Sequence, residues 1–446
     1  MKKKTYEIIC THLDSQGKGV FTLFKKNYAL KNLLPNEKAI ISIDSNDSIQ
    51  LIKIISNSST RVTPRCKNFE NCGGCQLLHM DADYQKQFKT NIYKETFKPL
   101  KTMIKCPIHN CVMQEDPWYY RNKVQMPIVQ NKNQLMIGFY QENSIQVIEQ
   151  DDCFIQTVLA TKVLEVLRSF IKKYRISGFN WKTKRGCLKY ILIRHGFATD
   201  ELMVVLVTNG SEFKYHREFV QTMTKQIPQI KTIVQNINRR KDHLVLDKEQ
   251  RIWFGKGYIA DCIGDVRFLI SPRSFYQINP PQVKKLYDCI LQYANLTGKE
   301  IVIDAYCGVG TIGLYLARQA KKVYGVEFVD DAIEDAKKNA RLNKIENAFF
   351  QVGDASKYMV KLARNKMKVD VVIVDPPRAG CTKELIDSVL QLSPKRFIYV
   401  SCNIETQKRD LELLKNSPYQ ITDMQAFDLF PQTTHIESVI LLQKVK

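Results

Sequence analysis

The chain has 446 residues, 44% of them hydrophobic, and a formal net charge of +22. That length and hydrophobic content give two to three globular domains and exclude an intrinsically disordered chain. The charge is uneven, +4 over residues 1–60, +13 over 61–270 and +5 over 271–446, so a polyanionic partner is expected to meet the middle of the chain.

No stretch approaches ~18 uninterrupted apolar residues, and Thr5–Asp14 lacks the apolar core of a signal peptide. A membrane partner is therefore not expected, and no obligate protein partner is evident. With no secretion signal, the 13 cysteines are expected to be reduced thiols in a cytoplasmic protein, some of them working as ligands or nucleophiles.

Short apolar, β-branched stretches at Tyr6–Cys10, Gly19–Phe24, Ala39–Ile43 and Ile49–Ile55 alternate with turn signals at Asp14–Gly19, Leu34–Asn36 and Asp44–Asp47. The pattern predicts a small β-barrel of the oligonucleotide-binding type over residues 1–59. Phe24, Lys25, Lys26 and Tyr28 supply the aromatic and basic side chains of a nucleic-acid groove. Next, Cys66, Cys72 and Cys75 follow a C-x5-C-x2-C spacing, with Gly73 and Gly74 allowing a tight loop. Three thiols so close in a polar segment predict a metal centre. Cys106, Cys111 and Cys153 are candidates for a fourth ligand, and zinc and an iron–sulfur cluster both remain open.

Residues 60–270 read as a central α+β domain. A strand-like run opens at Trp118–Lys123, with Ile137–Tyr140 and Val147-Ile148 as partners, and Leu159–Tyr174 has helical spacing. Tyr190–Arg194 and Leu202–Thr208 form a strand pair, so an antiparallel sheet with flanking helices is expected. Arg121, Lys123, Lys182, Lys184, Arg185, Lys189 and Arg194 are candidates for tracking phosphates.

From residue 271 to 446 the pattern becomes strand–helix–strand, the mark of a doubly wound α/β domain with ligands at the carboxyl ends of its strands. Asp304-Ala-Tyr-Cys-Gly-Val-Gly-Thr-Ile-Gly313 follows the first strand, and Glu327 ends the second. Asp354 follows the third strand and Asp375-Pro-Pro-Arg378 the fourth. This glycine pattern serves a nicotinamide dinucleotide and S-adenosylmethionine alike. The stretch Tyr399-Val-Ser-Cys-Asn403 ends an apolar strand and delivers Cys402 to a polar turn, while His435-Ile-Glu437 brings a carboxylate near the C-terminus. A thiol with carboxylates suits covalent catalysis on an electron-poor ring.

Taken together, the chain resembles the S-adenosylmethionine-dependent RNA uracil-C5 methyltransferases of the bacterial 23S ribosomal RNA branch. The resemblance is carried by Cys66-x5-Cys72-Gly-Gly-Cys75, Asp152-Cys-Phe154, Tyr120–Lys123, Ser274–Asn279, Asp304–Gly310, Asp375–Arg378, Ser401-Cys-Asn403, Thr406–Asp410 and Phe430–Glu437. It implies a TRAM-like barrel, a Rossmann-like class I methyltransferase domain and a [4Fe-4S] cluster on Cys66, Cys72, Cys75 and Cys153. It also implies S-adenosyl-L-methionine contacts from Gln277, Tyr306, Glu327, Asp354 and Asp375, with 23S ribosomal RNA as substrate. Cys402 is similar to the family nucleophile and Glu437 to its proton-abstracting base. A depressed Cys402 pKa, or deprotonation on binding, is expected for such a nucleophile. Phe275 or Tyr276 is expected to stack on the extruded base. Cys381 departs from the family pattern and adds a second thiol. The competing readings are a transfer-RNA uracil methyltransferase, an amino-methyltransferase and an iron–sulfur nicotinamide oxidoreductase.

Overall fold

The computed structural model describes residues 4–44, 48–131 and 134–444, so the turn centre Ser45–Asp47 lies outside the described residues. At the N-terminus, strands Lys4–Ile9, Lys38–Ile43 and Ile49–Ser56 form one three-stranded sheet, and His12–Leu13, Gly19–Leu23 and Lys26–Leu30 form another. Alternating side chains of both turn inward around Ile8, Phe21, Leu33 and Ile41, the packing of a small barrel-like unit. Four of these strands are legible as apolar runs. Lys26–Leu30 is not, because it pairs through a tight turn and buries little.

The central sheet has seven strands. It is not wholly antiparallel, as the sequence suggests. Glu201–Thr208 and Ile230–Ile237 run parallel, because helix His216–Gln226 crosses between them. Lys189 and Arg194 sit in this sheet rather than on a phosphate-tracking surface. Both are buried, and their charges are satisfied by main-chain carbonyls, Lys189 by Asn238 and Arg194 by Pro272 and Ser274. Lys182, Lys184 and Arg185 remain exposed.

Helix α1 (Ala82–Phe97) has Asp81 as its N-cap, whose carboxylate accepts from the Tyr84 N–H. No sequence signal announces this helix, since polar Gln85, Lys89 and Thr90 lie among its buried residues. Its Tyr93 and Phe97, with Leu100, Met103 and Cys111, join the core of the C-terminal sheet. Burial of each ring contributes roughly 1.5–3 kcal/mol relative to exposure.

The C-terminal sheet contains β1 (Ile301–Ala305), β2 (Lys322–Glu327), β3 (Ala348–Val352), β4 (Val371–Val374), β5 (Arg396–Ser401), β6 (Tyr419–Phe427) and β7 (Glu437–Lys444). Their order is β3-β2-β1-β4-β5-β7-β6. β1 to β5 are parallel, and β7 is antiparallel to both neighbours. This is the Rossmann-like class I methyltransferase arrangement. Continuous apolar runs such as Val371–Val374 fit strands covered on both faces. The order reverses between β1 and β4, so a crevice opens at their carboxyl ends.

Candidate active site

Strand register brings the catalytic candidates together. Ser401 of β5 lies opposite Ser438 of antiparallel β7, so one step outward sets Cys402 against Glu437. After β4, Pro376 and Pro377 end the strand and turn the chain toward Cys402. That turn is gripped from the other side, where Asn403 donates to the Arg378 carbonyl at 3.1 Å and Thr406 does so at 3.2 Å. Asn403 also caps the helix after β5, its side chain accepting from the Glu405 N–H. Cys402, Arg378 and His435 line a cavity of about 270 Å³, to which Ser15 of the barrel and Ile92 of α1 also contribute.

The electrostatics of the crevice are dominated by acids. Burial, then the charge of Asp375, push the Glu437 carboxyl well above its usual range, while Arg378 opposes. Burial raises Asp375 to about 7. Asp304, fully buried and accepting from the Gly313 N–H at 2.8 Å, is raised to about 7 by burial and by the charges of Asp375 and Glu327. Its second oxygen has no partner among the described residues. Glu327 accepts from the Gly308 and Val329 N–H groups at 3.3 and 3.0 Å, which presents the carboxylate at the glycine turn. In so dense a set of carboxyls, the pyrophosphate of a dinucleotide would add to the mutual repulsion, whereas a cation would draw them back toward their ionised forms. The sulfonium and ammonium of S-adenosylmethionine fit that demand.

The other predicted contacts are placed less uniformly. Tyr306 turns with φ 66 beside the glycine loop, and its hydroxyl is raised to about 12, chiefly by burial. Gln277 is held by Asn122, which donates to its carbonyl at 2.8 Å. The Asp354 carboxylate is exposed and caps the next helix by accepting from the Lys357 N–H at 2.9 Å. Of the two aromatics expected to stack on a base, Phe275 is 65% exposed, whereas Tyr276 is 3% exposed and packs against Phe268. Tyr276 is therefore a core residue.

The Cys402 thiol is not depressed. Burial, Glu437 and Asp375 raise it to about 11, with Arg378 opposing, so the thiol form predominates near neutral pH. Cys381 is buried, receives burial and Asp410 as acid-weakening influences, and stands at about 12. Arg378 and His435 are legible in the sequence only as members of motifs, without a role, and sequence reasoning misses Lys89 altogether. Lys89 is fully buried on α1, where spacing carries no signal for it.

Cys66, Cys72, Cys75 and Cys153 lie close enough to feel one another's charge. Burial is the largest influence raising the last three. Cys106 and Cys111 lie elsewhere, packed with the core of the C-terminal sheet. Among the described residues, no group of three or more His, Cys, Asp or Glu side chains is arranged to hold a metal ion.

Fold and crevice together define a class I methyltransferase that takes S-adenosylmethionine. The chain belongs to the RNA uracil-5 methyltransferases, since the family profile described as "tRNA (Uracil-5-)-methyltransferase" matches residues 83–445. It is 40% identical over 450 residues to an uncharacterized RNA methyltransferase of Clostridium acetobutylicum, covering 100% of this chain and 98% of the relative. An uncharacterized RNA methyltransferase of Halalkalibacterium halodurans is likewise 40% identical, covering 99% and 97%. The structure resembles that of Pyrococcus abyssi tRNA (uracil-54, C5)-methyltransferase in complex with S-adenosyl-L-homocysteine, with a TM-score of 0.80, 29% identity, and coverage of 98% of this chain and 100% of that one. These findings set aside the nicotinamide oxidoreductase reading. Among the described residues, no helix is long and apolar enough to cross a membrane.

Proposed function

We propose that the chain methylates C5 of a specific uridine in 23S ribosomal RNA, with Cys402 as nucleophile and Glu437 as base. The observation that carries this reading is the cross-strand placement of Cys402 and Glu437 at the crevice mouth, with Asp375 and Arg378 beside them. S-adenosylmethionine, when bound, supplies an electrophilic methyl group. The Cys402 thiol gives up its proton to solvent as the RNA binds, and its thiolate adds to C6 of the extruded uracil. The electron density this gives C5 lets it accept the methyl group, with the S–CH3 bond breaking and S-adenosyl-L-homocysteine leaving. Glu437, ionised in the complex and given a high proton affinity by its burial, then takes the C5 proton. The C5–H electron pair forms the C5=C6 double bond and the Cys402 thiolate leaves. Asp375, whose carboxyl burial raises to about 7, orients the uracil or the cofactor by hydrogen bonding. Gln277, Tyr306, Glu327 and Asp354 complete the cofactor contacts, Asp354 through the helix end it caps. Phe275 stacks on the base.

Cys66, Cys72, Cys75 and Cys153 would hold a [4Fe-4S] cluster. A tetrahedral zinc site draws thiolates to within about 3.8 Å of one another, whereas a cubane spreads them over four irons. Cys72, Cys75 and Cys153, each raised chiefly by burial, lie within electrostatic reach of one another and of Cys66, and four neighbouring thiols are the donor set such a cluster takes. The cluster's contribution would be structural, since methyl transfer requires no electron acceptor.

The division into a TRAM-like RNA-binding barrel (1–59), a cysteine-bearing RNA-binding domain (60–270) and the methyltransferase domain (271–446) belongs to the same reading, as does a cytoplasmic location. The packing of Tyr93–Cys111 on the C-terminal sheet ties the last two together. A second reading, transfer RNA as substrate, draws on the Pyrococcus abyssi relative, named for uracil-54 of tRNA. Mass mapping of 5-methyluridine in ribosomal and transfer RNA after deletion of the gene separates them. Loss from 23S ribosomal RNA alone is the expected result, and loss from transfer RNA alone overturns it. Cys402→Ala is expected to abolish both turnover and covalent capture of 5-fluorouridine RNA, and stable capture by that variant removes Cys402 as nucleophile.

A further inference from the structure

The chain from Asp428 to Ile436 leaves β6 and re-enters at β7, and both of its ends meet one side chain of α1. Lys89 donates to Asp428 Oδ1 at 2.6 Å, where the loop begins, and to the His435 carbonyl at 2.9 Å, where it ends. Both side chains of that ion pair are essentially inaccessible. An ammonium has three donors, and the Phe430 carbonyl at 3.5 Å is the third acceptor, so at this buried position its geometry is set by these three groups of the loop. One turn earlier on the helix, Gln85 donates to the Gln432 side chain at 3.0 Å. One turn later, the Tyr93 hydroxyl meets the Ser438 hydroxyl at 2.9 Å. Positions 85, 89 and 93 share one helix face, and that face spans the loop from its tip to the residue after Glu437.

We infer that the Gln85–Lys89–Tyr93 face of α1 is a positioning element for Glu437, with Lys89 as its principal contact. The inference rests on the reading of Glu437 as the base. His435 precedes Glu437 by two residues and Ser438 follows it, so contacts on either side hold the carboxylate against Cys402. Loosening them affects the last step selectively. There the C5–H bond breaks, its proton goes to Glu437, its electron pair forms C5=C6, and the S–C6 bond pair leaves with the Cys402 sulfur. Methyl transfer precedes this step and does not use Glu437.

The discriminating variant is Lys89→Met/Asp428→Leu, which removes both charges and leaves no orphaned ion. With unmodified RNA and S-adenosylmethionine, it is expected to melt within a few degrees of wild type and bind RNA within about twofold of wild type. Its turnover is expected to be tenfold or more lower, with a methylated, SDS-stable protein–RNA adduct accumulating as in Glu437→Gln. A folded variant with normal turnover, or with lost turnover and no adduct, overturns the inference. Should the double variant fail to fold, Tyr93→Phe removes one hydroxyl at constant shape. Reduced turnover with a detectable adduct is then expected, and wild-type behaviour overturns the proposal. If Glu437→Gln itself accumulates no adduct, the assignment of the base fails, a result distinguishable from failure of the helix face alone.

Discussion

The Cys402 thiol and the Asp375 carboxyl are both shifted toward their neutral forms, and each shift has a measurable consequence. With the thiol at about 11, the thiolate fraction of the free enzyme rises about tenfold per pH unit across the neutral range. Iodoacetamide labelling of Cys402, followed by peptide mass spectrometry, is expected to accelerate that steeply from pH 7 to 10. A plateau near pH 8.5 contradicts the shift. Cys381, buried and higher still, is expected to label more slowly throughout. Asp375, at about 7 in the fold, lies above its unfolded value near ~3.9. Its contribution to stability is therefore complete below about pH 4 and lost as pH rises through 7. Asp375→Asn is expected to raise the melting temperature by a few degrees at pH 8 but not at pH 4, and to weaken S-adenosylmethionine binding. Differential scanning fluorimetry at the two pH values checks the sign.

At the scale of single elements, two turns decide where the chemistry sits. The glycine loop after β1 reaches its helix through Gly310, with φ 79. A methyl group there would meet the Phe350 ring at 2.9 Å and Ala336 Cβ at 3.2 Å. Gly310→Ala is expected to cost about 1–3 kcal/mol from the left-handed backbone and the clash, and to weaken cofactor affinity. Denaturant unfolding and calorimetric titration with S-adenosyl-L-homocysteine check this prediction. The second turn is the β6–β7 loop. Gln76 and Leu77, immediately after Cys75, donate their N–H groups to the Gln432 carbonyl at 2.9 and 3.0 Å. Tyr120 donates to Pro431 at 3.0 Å. The cysteine-bearing loop thus braces the loop that leads to Glu437.

Over the whole molecule, the positive charge is spread through the central segment, but not all of it is available to RNA. Lys189 and Arg194 are internal, and Lys182, Lys184 and Arg185 are presented together on an exposed turn. Replacing those three with alanine is expected to reduce the slope of log affinity against log salt by roughly 2, at ~0.7 per contact with single-stranded RNA. Filter-binding titrations between low and moderate salt measure it, and an unchanged slope removes this turn from the interface. The barrel contributes Ser15 to the cavity that holds Cys402, so the N-terminal unit borders the site although the family profile match begins beyond it, at residue 83.

Local pattern was enough to place the parallel strands, the glycine loop, the proline turn and the terminal strand, because each is written in contiguous apolar runs, glycines and prolines. It also singled out Cys402, Glu437, Asp375 and the cysteine group, whose residue types are costly to place without a purpose. What it could not supply was pairing. The opposition of Cys402 and Glu437 depends on the antiparallel register of β5 and β7, which no local signal encodes. The burial of Tyr276, Lys189 and Arg194, and the role of Lys89 across the β6–β7 loop, depend on contacts between residues far apart in sequence. The chain alone determined which functional groups are present. Only tertiary packing decided which of them are desolvated, and therefore which proton each one holds.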